Sequence, residues 1–265
     1  MKAWMVALWS IVLREALRFA SQRGRFLAAL VRPLVWLVVF AAGFRAALGL
    51  SIIPPYQTYI TYEVYIVPGL CGMIQLFNGM QSSLSLVYDQ EMGSMRLLLT
   101  SPFSALVAAV FQNCLPGWQC PSCRSPSFWP LPRQWESPCR RWATWRFFPA
   151  LIATGLMLGA LGLLISSTIR QLENFAGVMN FVIFPMFFLS SALYPLWKME
   201  QSSVLLHDIC AVNPFTHAVE LIRFALYGQM NWSALLWVVI TFIVCMLGAL
   251  WGYDPERTML RRKIR

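Results

Sequence analysis

Charge is what this sequence has least of. Only 12% of its 265 residues are Asp, Glu, Lys or Arg, against 58% hydrophobic residues. A soluble domain needs about a quarter of its residues charged to keep its surface solvated, so a water-soluble globule is excluded and a polytopic, all-α membrane protein is expected. The chain also lacks a GxxxxGK[ST] phosphate loop, and with it the usual means of cradling ATP on a helix N-terminus. The first apolar run is broken by Arg14, Glu15 and Arg18 and has no small-residue cleavage site. No cleavable signal is therefore expected, and the first span acts as the insertion signal. Acidic residues are scarcer than basic ones, 11 against 21, for a net charge of +10. In a membrane protein that excess marks cytoplasmic loops, so no nucleic-acid partner is expected.

What is present reads as one domain over residues 1–265. Residues 1–32 form an N-terminal interface region: over 3–22, Trp9, Val12, Leu13, Ala16, Leu17 and Ala20 share one helical face, opposite Arg14, Glu15 and Arg18, as in a helix lying flat on lipid. Six basic residues against one acid in 1–32 place the N-terminus in the cytoplasm. Residues 33–252 carry the spans. Span 1 is expected at 33–50, an outer connection at 51–63, span 2 at 64–87, span 4 at 147–168, span 5 at 175–197 and span 6 at 234–252. The tail 253–265, with five basic residues and two acids, returns to the cytoplasm.

Three features carry functional expectations. Gln75, Asn78, Ser82 and Ser85 recur at helical spacing in span 2. Polar groups at that depth are costly unless they face water or protein, so the stripe either lines a passage or makes interhelical hydrogen bonds. Next, Tyr88–Ser104 (YDQEMGSMRLLLTSPFS) is a short charged interruption, with Asp89, Glu91 and Arg96 clustered and Pro102 closing it. It is amphipathic and stiff, which suits a docking element beside the membrane as well as an ordinary loop. Finally, FFLSSALYPL at 187–196 precedes NPFTHAVELIRFALYG at 213–228. Asn213-Pro214 starts a helix there, with Glu220 and Arg223 three apart on one face. In span 4, Gly155, Gly159 and Gly162 are small residues that let helices approach closely. Cys71, Cys210 and Cys245 stand singly in apolar context and are expected to be inert packing residues.

The third span is missing. Only 103–111 is apolar, and 112–146 holds six prolines, five arginines and four cysteines, which no bilayer helix tolerates. Cys120 and Cys123 make a CxxC near Cys114 and Cys139, but a zinc site needs a second such pair or added histidines. The genetic code offers another account. Reading the codons behind NCLPGWQCP (113–121) one base earlier permits Lys-Leu-Leu-Ala-Gly-Val-Ala-Val-Ser. Some shifted residues are forced, such as Leu from Phe128-Trp129 and Ala from Trp129-Pro130. Codons for Cys, Trp and Phe begin with T, and a T in the middle of the shifted codon specifies an apolar residue. Residues of about 105–146 therefore read as translated out of frame, with a plausible third span behind them.

The pairing of FFLSSALYPL with NPFTHAVELIRFALYG before a last span resembles the ABC-2 exporter permeases of the nodulation-factor and drug-resistance type. The loop 88–104 and the N-terminal RPLVWL resemble the same family, so the likeness covers nearly the whole chain except 105–146. The resemblance implies a six-helix ABC-2 transmembrane domain, its third helix disrupted here, with an N-terminal interfacial helix. It implies a permease dimer in a bacterial inner membrane, exporting a substrate with energy from a separate ATP-binding subunit that holds the ATP and magnesium. This chain would then be no enzyme, with no cofactor or metal of its own. Asp89, Glu91, Gly93, Arg96 and Pro102 match the family's ATPase-coupling segment, and Asn213, Pro214, Glu220 and Arg223 match its external re-entrant helices. Other readings are a lipid-modifying transferase using His207, Asp208, His217 and Glu220, or a passive channel or scaffold.

Overall fold

The computed structural model describes residues 62–91, 141–169 and 171–252, together with Val35 and Val39. Apart from those two valines, these residues form seven helices and no strand: α1 Tyr62–Glu91, α2 Arg141–Thr168, α3 Leu172–Phe188, α4 Leu196–Ser202, α5 Val204–Val212, α6 Pro214–Leu226 and α7 Trp232–Gly252. The expected interface helix, span 1 apart from Val35 and Val39, nearly all of the outer connection, the bulk of the anomalous 105–146 stretch and the basic tail lie outside the described residues.

Two described helices, Phe147–Thr168 and Trp232–Gly252, are long and apolar enough to cross a membrane, and they coincide with expected spans 4 and 6 to within two residues. Helix α1 has the length, at 30 residues, but Gln75, Asn78 and Gln81 dilute its apolar character. It also runs past the expected boundary. With no glycine or proline between Val87 and Gly93 to stop it, the helix continues through Tyr88, Asp89 and Gln90 to Glu91, so the charged segment begins as a helical turn.

Span 5 differs more from expectation. Its helix stops at Phe188 rather than Trp197. Ser190 turns its hydroxyl back to donate to the Phe187 carbonyl at 2.6 Å, and the Ala192 N–H donates to that same hydroxyl at 3.3 Å. Pro195, extended at φ −64° and ψ 140°, then precedes α4. Competition of the Ser190 side chain for backbone groups ends the helix where apolar content alone would continue it.

Helix α2 is the hub, packing against α1, α6 and α7. Glycines set how closely it approaches α1. A methyl added at Gly162 would press on Ser83 and meet the Gly79 carbonyl oxygen at 3.1 Å, and one added at Gly79 would meet the Gly159 nitrogen at 3.4 Å. The core around this contact is Leu76, Met80, Met157 and Leu158, all fully buried. Helix α7 buries only the line Ala234, Val238, Cys245 and Ala249 and exposes Leu236, Ile240, Ile243, Val244 and Leu247. Apolar on both its buried and open sides, it has the character of a lipid-bathed helix.

Candidate functional site

The two motifs singled out in the sequence meet, and side chains of the second satisfy backbone groups of the first. Helix α6 starts where its sequence says it should. Asn213 is extended at φ −62° and ψ 120°, and its side chain accepts from the Phe215 N–H at 3.0 Å, with Pro214 in the first turn where a missing N–H is harmless. It ends at Gly228, whose φ of +69° allows the Gly228 N–H to reach the Ala225 carbonyl at 3.1 Å and the Gln229 N–H to reach Phe224 at 3.0 Å. That is the paired closure glycine makes possible at a helix end.

The other half of the Asn213 side chain ties α6 to the end of α3. Its amide donates to the carbonyls of Met186 at 2.9 Å and Leu189 at 2.6 Å. Thr216 bridges as well: its hydroxyl donates to the Cys210 carbonyl at 2.7 Å and accepts from the Ser191 N–H at 3.3 Å. The serine turn of 189–195 is thereby fixed, and it lies hard against α1, where the Ala192 carbonyl sits 2.6 Å from any Cβ added at Gly69.

At the centre is the Ser191 carbonyl. It accepts from the Arg223 guanidinium at 2.8 Å and from the Tyr65 hydroxyl at 2.8 Å, while the guanidinium carbon lies 4.2 Å from the Tyr65 ring centroid. Arg223 is only 4% exposed and Tyr65 is fully buried. A buried cation is tolerated here because a carbonyl dipole and a ring face are aimed at it. Glu220, one turn earlier, adds a carboxylate that burial pushes up from the usual range while the Arg223 charge holds it down. The structure thus ties two of the four expected re-entrant residues, Asn213 and Arg223, into one interlock, with Pro214 in the first turn of the same helix and Glu220 one turn before Arg223. Phe215, at the start of α6, packs against α1 at Gly72, so α6 lies antiparallel alongside the first turns of α1. At 13 residues it is too short to span a bilayer.

Sequence reasoning missed Tyr65, Ser191 and Thr216 as partners. The Ser-Ser step inside an apolar run just before a proline was a usable signal for the turn. Nothing in the periodicity marks Tyr65.

In the polar stripe of α1, Gln75 is occupied within the chain. The Gln75 side chain donates to the Leu151 carbonyl at 2.9 Å and accepts from the Thr154 hydroxyl at 2.8 Å, and it is 2% exposed. Its amide joins α1 to α2 in place of facing a passage, which is the interhelical alternative. Asn78 is buried beside it, and the Ser82 side chain lies outside the described residues. Asp89 and Glu91 fall on the last helical turn of α1, while Gly93, Arg96 and Pro102 lie outside the described residues.

The residues of the transferase alternative do not converge through any contact described. His207 pairs with its exposed neighbour Asp208 at 3.2 Å. His217 instead lies flat on Trp237, centroids 5.2 Å apart. Among the described residues no group of three or more His, Cys, Asp or Glu is placed to hold a metal ion.

A helical bundle with two bilayer-length apolar spans, and a short capped helix folded back between spans to bury a cation, defines a multi-span membrane protein. The chain belongs to the ABC-2 type transporter family, whose sequence profile matches residues 6–227. It is 25% identical over 249 residues to a protein named as a transport permease, ycf38, of Pyropia yezoensis, covering 92% of this chain and 78% of the relative. A ycf38 of Porphyra purpurea is 25% identical over 227 residues, covering 84% of this chain and 75% of the relative. Nodulation protein J of Rhizobium leguminosarum bv. viciae is 33% identical over 81 residues, 31% of this chain and 30% of its own length. The chain is accordingly a transmembrane transport subunit, and its family is one of permeases rather than enzymes.

Proposed function

We propose that this chain is the permease half of an exporter driven by ATP that a separate subunit binds with magnesium and hydrolyses. Family membership carries the reading, and the absence of a phosphate loop from this chain means the energy enters from outside. Contact falls on Tyr88–Ser104, with Asp89, Glu91, Gly93, Arg96 and Pro102 as the coupling residues, and on the N-terminal interface helix. Helix α1 supports this assignment. It is one continuous helix from the coupling end at Glu91 to the interlock at Tyr65, with Pro68 one turn from that end, about 39 Å at 1.5 Å per residue. A push at its charged end therefore reaches the Tyr65–Arg223–Ser191 contact at the other end, shifting the spans between two packings. The permease works as a dimer in a bacterial inner membrane with both termini cytoplasmic, which puts the interlock on the outer side. Residues of about 105–146 are out of frame in this reading, and the upstream frame supplies the third span.

The test is affinity purification of the full chain from its own membranes, with a phosphate-loop ATPase expected to copurify. Reversing Asp89 and Glu91 to arginine together should abolish the association and ATP-dependent efflux from vesicles. A permease that exports with no nucleotide-hydrolysing partner would overturn the proposal. ATP-independent turnover lost on His217→Ala would favour the transferase instead.

A further inference from the structure

We infer that His217 is a proton-operated latch: its neutral ring seats the short helix α6 on the last span α7, and protons from the outer compartment release it. The latch adds regulation to the exporter proposed above and rests on the outer placement of α6 given there. Asn213, Thr216 and Arg223 hold the 189–195 turn, whereas His217 reaches across to α7. Its ring lies on the Trp237 indole, 5.2 Å between centroids and 4° from parallel. Trp232, the first residue of α7, is 72% exposed, as suits a tryptophan at a membrane interface. Trp237 follows one and a half turns on, about 7.5 Å along the axis, and is itself half-exposed. The stack therefore lies just inside the outer interface, within reach of protons from outer water.

The place suits only the neutral ring. Nε2 is buried with no hydrogen-bond partner among the described residues, and an imidazolium carries an N–H on both nitrogens. Charging the ring therefore puts a buried N–H where nothing accepts it. The indole face attracts a cation, but an unpaired charged donor costs more than that attraction returns. Helix α6 packs on α1, α2, α5 and α7, and among the described residues none of them offers a free counter-charge. Helix α7 has no Asp, Glu, Lys, Arg or His, and its Cys245 lies two turns past Trp237. Helix α2 is uncharged from Phe147 to Thr168. Helix α1 carries Tyr65 and Cys71 but no charge from 64 to 87, and its Asp89 and Glu91 are at the far end. On α5, Asp208 is exposed and pairs with His207. On α6 itself, Glu220 has its charge held by Arg223. The side chains of Glu63, Arg141 and Arg146 lie outside the described residues. Burial thus dominates and depresses the His217 pKa from 6.5, against the smaller pull of the Ala211 backbone at the end of α5. Release develops as pH falls below that value. Helix α6 then keeps its hydrogen bonds to the turn and loses this anchor on α7, which frees the interlock to move.

The chain has two histidines, so His207→Gln leaves His217 as its single imidazole. In the full-length protein in detergent, nitrogen NMR of labelled histidine reads the ring, and hydrogen–deuterium exchange, corrected for the intrinsic effect of pH, reads the amides of 214–226. The ring should titrate below pH 6.5. Exchange in 214–226 should rise several-fold between about pH 7.5 and about pH 5 with the same midpoint, while 147–168 stays unchanged. His217→Gln should abolish the rise, and Glu220→Gln should leave it. Trp237→Phe, which keeps a ring face for His217, should leave it as well. A ring that titrates with no change in exchange overturns the latch, and so does a rise that persists in His217→Gln or vanishes in Glu220→Gln. In inside-out membrane vesicles the rise should follow the pH of the lumen; one that follows the medium overturns the stated source of the protons. None of these measurements needs an ATPase, so failure of the exporter reading would leave them as they are.

Discussion

Arg223 carries a full charge at 4% exposure, and the Ser191 carbonyl and the Tyr65 ring are among its neighbours. Breaking such an arrangement from one side leaves the other uncompensated. Tyr65→Phe keeps the ring under the guanidinium and removes one hydrogen bond to Ser191, and is expected to cost about 1 kcal/mol. Arg223→Ala removes the charge, its hydrogen bond and the ring contact, and is expected to cost about 3 kcal/mol. Thermal unfolding in detergent reads both, and equal losses would contradict the arrangement. His217 offers a pH test. Its Nε2 is buried with no hydrogen-bond partner among the described residues, and burial lowers its pKa from the usual 6.5, against a smaller upward pull from the Ala211 backbone. The unfolded chain then binds the proton more readily than the folded one, so stability is full above pH 6.5 and falls as pH drops below it. Melting temperatures should decline from about pH 7 to about pH 5, and His217→Gln should flatten that decline.

Glycine governs the contacts between elements at two positions. Gly162 lets α2 seat against Ser83 and Gly79 of α1, and Gly69 lets the 189–195 turn rest its backbone on α1. Gly162→Leu should separate α1 from α2 and destabilise the bundle by about 1–3 kcal/mol or more, since overpacking a close helix contact forces backbone shifts. Gly69→Val should act on the turn, loosening the interlock and reducing transport before it reduces folding, which paired efflux and melting measurements distinguish. At this scale the sequence was unevenly legible. The start of α6 was read, because Asn213 and Pro214 act through their own local geometry; its closure at Gly228 is local in the same way but was not read. The end of α3 could not be read: apolar content continues to Trp197, and the stop goes with the Ser190 hydroxyl, which bonds the backbone of the turn that α6 and α1 receive.

For the whole molecule, the expected outcome is that restoring the upstream frame over about 105–146 yields a chain that inserts fully and exports in an ATP-dependent way, whereas the chain as it stands does not. Reading the nucleotide sequence is the direct check: a stop codon or charged text in that frame ends the account, and so does ATP-coupled export by the unaltered chain. Composition by itself determined that this is a membrane protein, because 12% charge cannot solvate a globule of this size. Motif order determined the family, and run length located the two apolar spans, since each bilayer-length helix must satisfy its own backbone without help from its neighbours. Tertiary structure alone decided where the polar groups inside the membrane domain are used. Gln75 could have faced water or protein and in fact bonds α2, and the Ser191 carbonyl takes a hydroxyl from a residue 126 positions away. Helical periodicity records which way a side chain points; it holds no record of which distant backbone will be there to meet it.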